Sequence, residues 1–300
     1  MRHLLRAFLV TLSLVPAFLK LSAQTTIVGV LEDVPGVYAG EANFRGVRIA
    51  FHKNGGDWRP FPSNCPDQKC LRSVSSSYPH QVNWTVTFDG KKVGELTGRT
   101  PKEFQFYSHI ALQEITSRGP VPSIGKKSQE FSGFLETAVY RPLITSSQSY
   151  FADPDTWKPS ALPSDLVRLV RREFRLKFPK VTNCANPDEN VARRWRYPDD
   201  NIKVTKVYSS RTKWFVAQVF LAGYGCDGPL DDPFIDQWFA ISPAGKIKFL
   251  DAGMWLVDAG DYDNDGKSEM VFSIDRYNRG GYELFYADFE KKAVFEYAYH

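Results

Sequence analysis

Several familiar catalytic signatures are missing from this chain. There is no His-Glu-x-x-His pair, no Gly-x-Ser-x-Gly elbow and no glycine-rich phosphate loop ahead of a helix. The motif-based routes to zinc-protease, serine-hydrolase and P-loop chemistry are therefore closed. His52, His80, His109 and His300 stand apart from one another and read as structural or exposed. Cysteine is scarce, with Cys65, Cys70, Cys184 and Cys226 making up all four. No second short cysteine pair or nearby histidine completes a zinc spacing. The apolar run at residues 7–19 is short for a spanning helix.

That run follows Arg2 and Arg6 and leads into Leu21-Ser22-Ala23, the pattern of a secretory signal peptide cleaved after Ala23. An uncleaved anchor is the alternative. Cleavage removes Arg2, Arg6 and Lys20 and no acid, so the formal charge falls from +4 to +1. A near-neutral mature chain has no global drive toward nucleic acid or a membrane surface, and no membrane span is expected after cleavage. The expected location is secreted or periplasmic. An even cysteine count in an exported chain favours two disulfides. Cys65–Cys70 with Cys184–Cys226 is the simplest of the three pairings, because each bridge stays within one half of the chain.

The motif with the sharpest physical meaning lies near the C-terminus, at Asp261-Tyr-Asp263-Asn-Asp265-Gly266-Lys-Ser-Glu269. Alternation lets three carboxylates turn toward one point, and Gly266 permits a sharp turn. Calcium takes six to eight oxygen ligands in a flexible cage. Asp261, Asp263, Asp265 and Glu269 offer side-chain oxygens, and Lys267 a backbone carbonyl. An EF-hand would need Glu at the twelfth position and a following helix; that position holds Phe272, within an apparent strand at residues 270–274. Clustered acids without a cation repel one another, which favours an ion, Ca2+, over an ordinary acidic turn. Together with Gly260, this strand–loop–strand pattern resembles the calcium loops of FG-GAP and VCBS repeats, the blades of integrin-type β-propellers. The resemblance covers one blade and implies calcium held between two of its strands.

The rest of the chain reads as mainly β, with 14% aromatic residues to cover sheet faces. Residues 202–208, 214–222, 236–242 and 246–250 form one four-stranded antiparallel meander, and 254–258, 269–275, 281–287 and 293–299 another. Each meander has the size of a propeller blade. Residues 204–220 match 256–273 in apolar order, with Ser209-Ser-Arg-Thr in place of the acidic loop. An N-terminal meander, residues 27–98, follows the same order with a long insertion at 60–79, and residues 100–150 offer a fourth unit. Asp89-Gly90 predicts a type I′ hairpin turn. The alternative to a propeller is two packed β-sheets with a helix, an α+β arrangement. The organisation expected is a signal peptide at 1–23, an N-terminal β-rich region at 24–150, a linker and helix at 151–180, and a C-terminal β region at 181–300.

Residues 164–178 predict the one clear mature helix, N-capped by Ser164 and ended by Pro179, with Leu166, Val167, Val170, Phe174 and Phe178 on its apolar face. The arginines Arg168, Arg171, Arg172 and Arg175 read as its solvated side. Asp227, Asp231, Asp232 and Asp236 form a second acidic group, a polar loop or a carboxylate pair for glycoside hydrolysis. Arg193-Arg194-Trp195-Arg196-Tyr197 interleaves charge and rings, and reads as a loop edge packed on a sheet. Two functions compete on this evidence: an exported, calcium-stabilised binding or scaffold protein for a protein or glycan partner, and a secreted glycan hydrolase. Mass spectrometry of the exported form is expected to find Gln24 as its first residue; a chain still beginning at Met1 would indicate an anchor.

Overall fold

The computed structural model describes residues 25–34, 44–129, 138–149, 151–184, 192–223, 236–276 and 278–298. The expected signal peptide, Cys226, Asp227, Asp231, Asp232 and His300 lie outside these residues, as does the side chain of Cys184. The fold is mainly β, and its sheets are antiparallel.

The N-terminal half contains β1 (Thr26–Val34), β2 (Phe44–Lys53), β3 (Arg59–Pro60), a short helix α1 (Gln68–Ser73), β4 (Gln81–Phe88), β5 (Lys91–Arg99), β6 (Leu112–Ile115) and β7 (Leu143–Ser146). β1 pairs with both β7 and β2, so the order β1-β7-β4-β5-β6-β2 closes into a six-stranded barrel, with β3 added to β2. This corrects the expectation of a blade at 27–98 and a fourth unit at 100–150: β6 and β7 come from the latter stretch and complete the barrel. Closure leaves these strands few unpaired edges. The β4–β5 turn has φ of 51° at Asp89 and 65° at Gly90, as a type I′ turn requires. Within the insertion at 60–79, Asp67 caps α1 by accepting from the Cys70 amide at 2.8 Å, and Cys65 is disulfide-bonded to Cys70. That helix was not legible as one because only six residues form it.

Next come β8 (Lys158–Pro159), helix α2 (Ser164–Lys177), the ribbon β9 (Val181–Cys184) and β10 (Ala192–Trp195), and a sheet ordered β14-β13-β12-β11-β8. Its main strands are β11 (Ile202–Ser209), β12 (Phe215–Leu221), β13 (Gln237–Ile241) and β14 (Ile247–Ala252). The last sheet is a pure meander of β15 (Met254–Gly260), β16 (Glu269–Arg276), β17 (Arg279–Tyr286) and β18 (Lys291–Ala298). Both C-terminal meanders thus match the strands read from the sequence to within a few residues. Pro163, not Ser164, occupies the N-cap position of α2, and no side chain caps that end.

Packing is layered. Val271, Tyr282, Leu284 and Phe295 face the barrel core beside Val30, Phe51 and Val86. On the opposite face of the same sheet, Met270, Phe272, Ile274 and Phe285 meet Val216, Trp238 and Ala240 of the five-stranded sheet. Trp238 and Phe272 meet edge-on at 5.0 Å. The outer face of the five-stranded sheet, with Ala217, Val219 and Phe239, is covered by Val170 and Phe174 of α2. The last sheet is therefore a middle layer buried on both faces, which explains its nearly unbroken apolar run at β16. Two meanders pack face to face as neighbouring blades would, but the barrel stands on one side and α2 on the other.

A buried ion pair within the barrel lies at its boundary with the last sheet. Arg48 of β2 is 2% exposed and donates from Nε to Glu32 at 2.7 Å, and its other nitrogens donate to the Ile110 and Ser108 carbonyls. Tyr282 of β17 donates its hydroxyl to the second Glu32 oxygen. The guanidinium also lies 4.1 Å from the centre of the Tyr297 ring. Removing one partner of such a pair leaves the other charge buried and uncompensated. Glu32→Ala is expected to cost about 3–5 kcal/mol in urea unfolding. Glu95→Ala, from the exposed Lys92–Glu95 pair, is expected to cost less than about 1 kcal/mol.

Candidate metal centre

The acidic loop joins β15 to β16, from Asp261 to Ser268. Its entry is fixed from outside. The Asp261 amide donates to the Ala152 carbonyl at 2.7 Å, and the Phe151 ring rests so closely on Gly260 that any Cβ there would collide with it. Inside the loop the carboxylates hold the backbone. Asp261 accepts from the Asp265 and Gly266 amides at 2.9 and 2.8 Å, one on each oxygen. Asp265 accepts from the Lys267 amide at 3.0 Å, and Asp263 from the Asp265 amide at 3.2 Å. Asn264 and Gly266 adopt left-handed backbone, with φ of 60° and 88°, which Asn and Gly tolerate best. One oxygen from each of Asp261, Asp263 and Asp265 then lies within 4.8 Å of the others.

The barrel supplies the nearest cation. Lys53, at the end of β2, places its ammonium against Asp263 and 3.1 Å from Asp265. Glu269, expected as a fourth side-chain ligand, sits at the foot of the loop outside that group of three. It is 2% exposed; one oxygen accepts from the Tyr262 amide at 2.9 Å and the other from the Trp58 indole at 3.3 Å. Burial, reinforced by Asp263, pushes the Glu269 carboxyl well above the usual carboxylate range. Burial also raises Asp261, against the pull of its two amide donors. The Lys267 amide turns toward Asp265. The set is one of hard oxygen donors, the chemistry calcium takes. Sequence reasoning missed Lys53 and Trp58, more than two hundred positions away and without a motif.

The first meander carries a counterpart of this loop. A β-bulge interrupts β11–β12 pairing between Val204 and Lys206, and β15–β16 pairing between Leu256 and Asp258, at positions that match when the apolar orders of the two meanders are aligned. That register pairs Ser209 with Asp261; one residue on, the Ser210 hydroxyl accepts from the Trp214 amide four residues ahead, a bond of the same span as the one Asp261 accepts from Asp265. Asp155 links the two loops, accepting from the Thr212 hydroxyl at 3.1 Å and the Ser268 amide at 3.3 Å. Asp153 beside it accepts from the Ser268 hydroxyl at 2.6 Å and the Trp157 amide at 2.6 Å.

The other acidic and basic candidates have local partners. Asp236 accepts from the Gln218 side chain at 2.9 Å, and burial raises its carboxyl. His52 packs at a tilt against Phe61, and His109 packs edge-on against Phe44 and Phe106. Of the interleaved run, Tyr197 is buried and donates to the Phe178 carbonyl at 2.6 Å, while Arg194 and Arg196 are exposed. No described helix is long and apolar enough to cross a membrane. Compared with known proteins, the chain matches no family model, no curated protein and no solved structure.

Asp258, just before the loop, accepts from the Asp89 amide at 3.1 Å and so ties the β4–β5 turn to β15. Burial raises its carboxyl to about 7, against the amides of Ala259 and Asp89 and the charge of Arg141, with the Asp89 carboxylate adding to the rise. An acid whose folded pKa exceeds its unfolded value favours the folded state when protonated. Its contribution is present below about pH 4 and is lost as pH rises toward 7 and above. Urea unfolding at pH 5 and pH 8 is expected to show stability falling across that window. In Asp258→Asn, which keeps an acceptor for Asp89, the fall should shrink by on the order of 2 kcal/mol. An equal fall in both proteins would remove Asp258 as its source.

Proposed function

We propose that the loop from Asp261 to Glu269 is a structural calcium site of the FG-GAP/VCBS kind. In this reading the chain is an exported protein that binds or scaffolds a protein or glycan partner. The observation that carries it is the convergence of Asp261, Asp263 and Asp265 on one point, facing an ammonium. Those three aspartates would hold the ion, with the Lys267 carbonyl; Glu269 would act from below by fixing the Tyr262 amide. The shared bulge and the matching four-residue span of the Ser210 and Asp261 hydrogen bonds support reading the two meanders as copies of one unit, of which the second gained acids. The ion would neutralise clustered charge between two strands of the middle sheet.

Lys53 changes what calcium would do. Its ammonium already compensates Asp263 and Asp265, so an incoming ion must displace it, and affinity reflects that competition. Extracellular calcium modules have dissociation constants of about 10⁻⁴ to 10⁻³ M. At ~1 mM calcium that stabilises by roughly 0.4–1.4 kcal/mol, a melting shift on the order of 1–5 °C. Magnesium, which needs a tighter octahedron, should substitute poorly. Calorimetry and melting curves in calcium, magnesium and chelator are expected to show this shift in the wild type and none in Asp263→Ala. Lys53→Met should bind calcium about tenfold more tightly, since it removes the competing charge. Absence of calcium heat in both the wild type and Lys53→Met would overturn the calcium reading, and equal affinities would overturn the competition.

A further inference from the structure

We propose that Asn54, at the tip of the β2–β3 turn, is a site of spontaneous deamidation, and that its conversion slackens the joint between the barrel and the acidic loop. The reaction consumes water alone and does not rest on calcium.

The chain holds one Asn-Gly pair, Asn54-Gly55. It lies in a turn that is tied at both ends and free in the middle. Lys53 enters the turn with its ammonium on Asp263 and Asp265, and Trp58 leaves it with its indole on Glu269. Asp57 meets the Lys291 ammonium of β18 at 2.6 Å. Between these anchors Asn54, Gly55 and Gly56 are exposed. Among the described residues no hydrogen bond holds the Asn54 side chain or the Gly55 amide. Gly55 has φ of 64° and no side chain to shield its nitrogen.

That combination sets up a ring closure. The Gly55 backbone nitrogen, losing its proton to base, attacks the Asn54 side-chain carbonyl carbon. A C–N bond forms, the bond to the side-chain amide nitrogen breaks, and that nitrogen leaves as ammonia. Water then opens the cyclic imide at either carbonyl. One opening gives aspartate. The other gives isoaspartate, in which the main chain runs through the former side chain and is longer by a methylene. An attacking group carried on the same chain reacts far faster than one from solution, provided it can reach its target.

The asparagines elsewhere are held back. Asn83 accepts from the Thr97 hydroxyl at 3.0 Å and precedes Trp84; Asn201 donates to the Ala222 carbonyl at 2.7 Å and precedes Ile202. Asn264 precedes Asp265, whose amide is already taken by Asp261 at 2.9 Å. At Asn54 alone among these four is the following amide both unshielded by a side chain and unbonded. Its conversion puts a carboxylate beside Lys53, and isoaspartate adds backbone length between Lys53 and Trp58. Those are the two barrel residues that meet the acids of the loop and its foot.

The test ages the purified full chain at pH 6 and pH 8 and maps its peptides by mass spectrometry, with enzymatic methylation to detect isoaspartate. Asn54 should convert well ahead of Asn83, Asn201 and Asn264, faster at pH 8, and yield both products. Gly55→Ala should slow conversion about tenfold, because a side chain then crowds the attacking nitrogen. Gly56→Ala should leave the rate unchanged, since a Cβ there meets nothing within 4 Å and its nitrogen is not the attacker. Melting curves check that both variants fold; if the strained Gly55→Ala does not, the wild-type products and the ranking of the asparagines still decide. The Trp58 indole proton should exchange faster in the isoaspartate form than in fresh protein or in Asn54→Asp, which adds the charge without the length. Conversion of Asn54 no faster than of the other three, aspartate without isoaspartate, or an undiminished rate in a folded Gly55→Ala would overturn the site. Equal Trp58 exchange in all three forms would overturn its link to the joint.

Discussion

Burying a carboxylate without a partner is among the costliest things a fold can do. In this protein the last sheet is the middle layer and has no free face, so the acids at its upper end must be compensated by whatever packs beside them. The barrel provides that compensation. Lys53 reaches Asp263 and Asp265, Trp58 reaches Glu269, and Asp258 is met by the Asp89 amide. At the other end of the same interface Arg48 and Tyr282 converge on Glu32. The barrel and the last sheet therefore share apolar core and charge compensation alike, and the acidic loop is part of the joint between them.

The segment from Phe151 to Trp157 serves the second joint. Its Phe151 ring caps Gly260 and stacks on Tyr262, and its two aspartates hold the loops of both C-terminal meanders. Read as sequence, Phe-Ala-Asp-Pro-Asp-Thr-Trp is a proline-bearing linker. Its function as a staple is invisible there, because every partner it engages lies in another element.

The parts of the fold that sequence made legible were the local ones. β11–β14 and β15–β18 each pair with their neighbours in sequence, so periodicity specifies them, and the bulge shared by the two meanders lies where their apolar orders align. The barrel was not legible. Its closure depends on β1 pairing with β7 across more than a hundred residues, and β7 is only four residues long. Long-range pairing leaves no periodic signal. In the loop, alternation of Asp261, Asp263 and Asp265 did foretell convergence, since it is a property of adjacent residues. The position of Glu269 was set instead by Trp58 and the Tyr262 amide, and Lys53 came from a strand with no acidic pattern of its own.

The central claim is that the loop and the barrel respond to a cation as one unit. Amide and indole hydrogen exchange, with and without calcium, tests it most directly. The account predicts that the Asp265 and Gly266 amides, which donate to Asp261, and the Trp58 indole, which donates to Glu269, slow together when calcium is added. Exchange unchanged at all three, or slowed in the loop while Trp58 stays as it was, would contradict it.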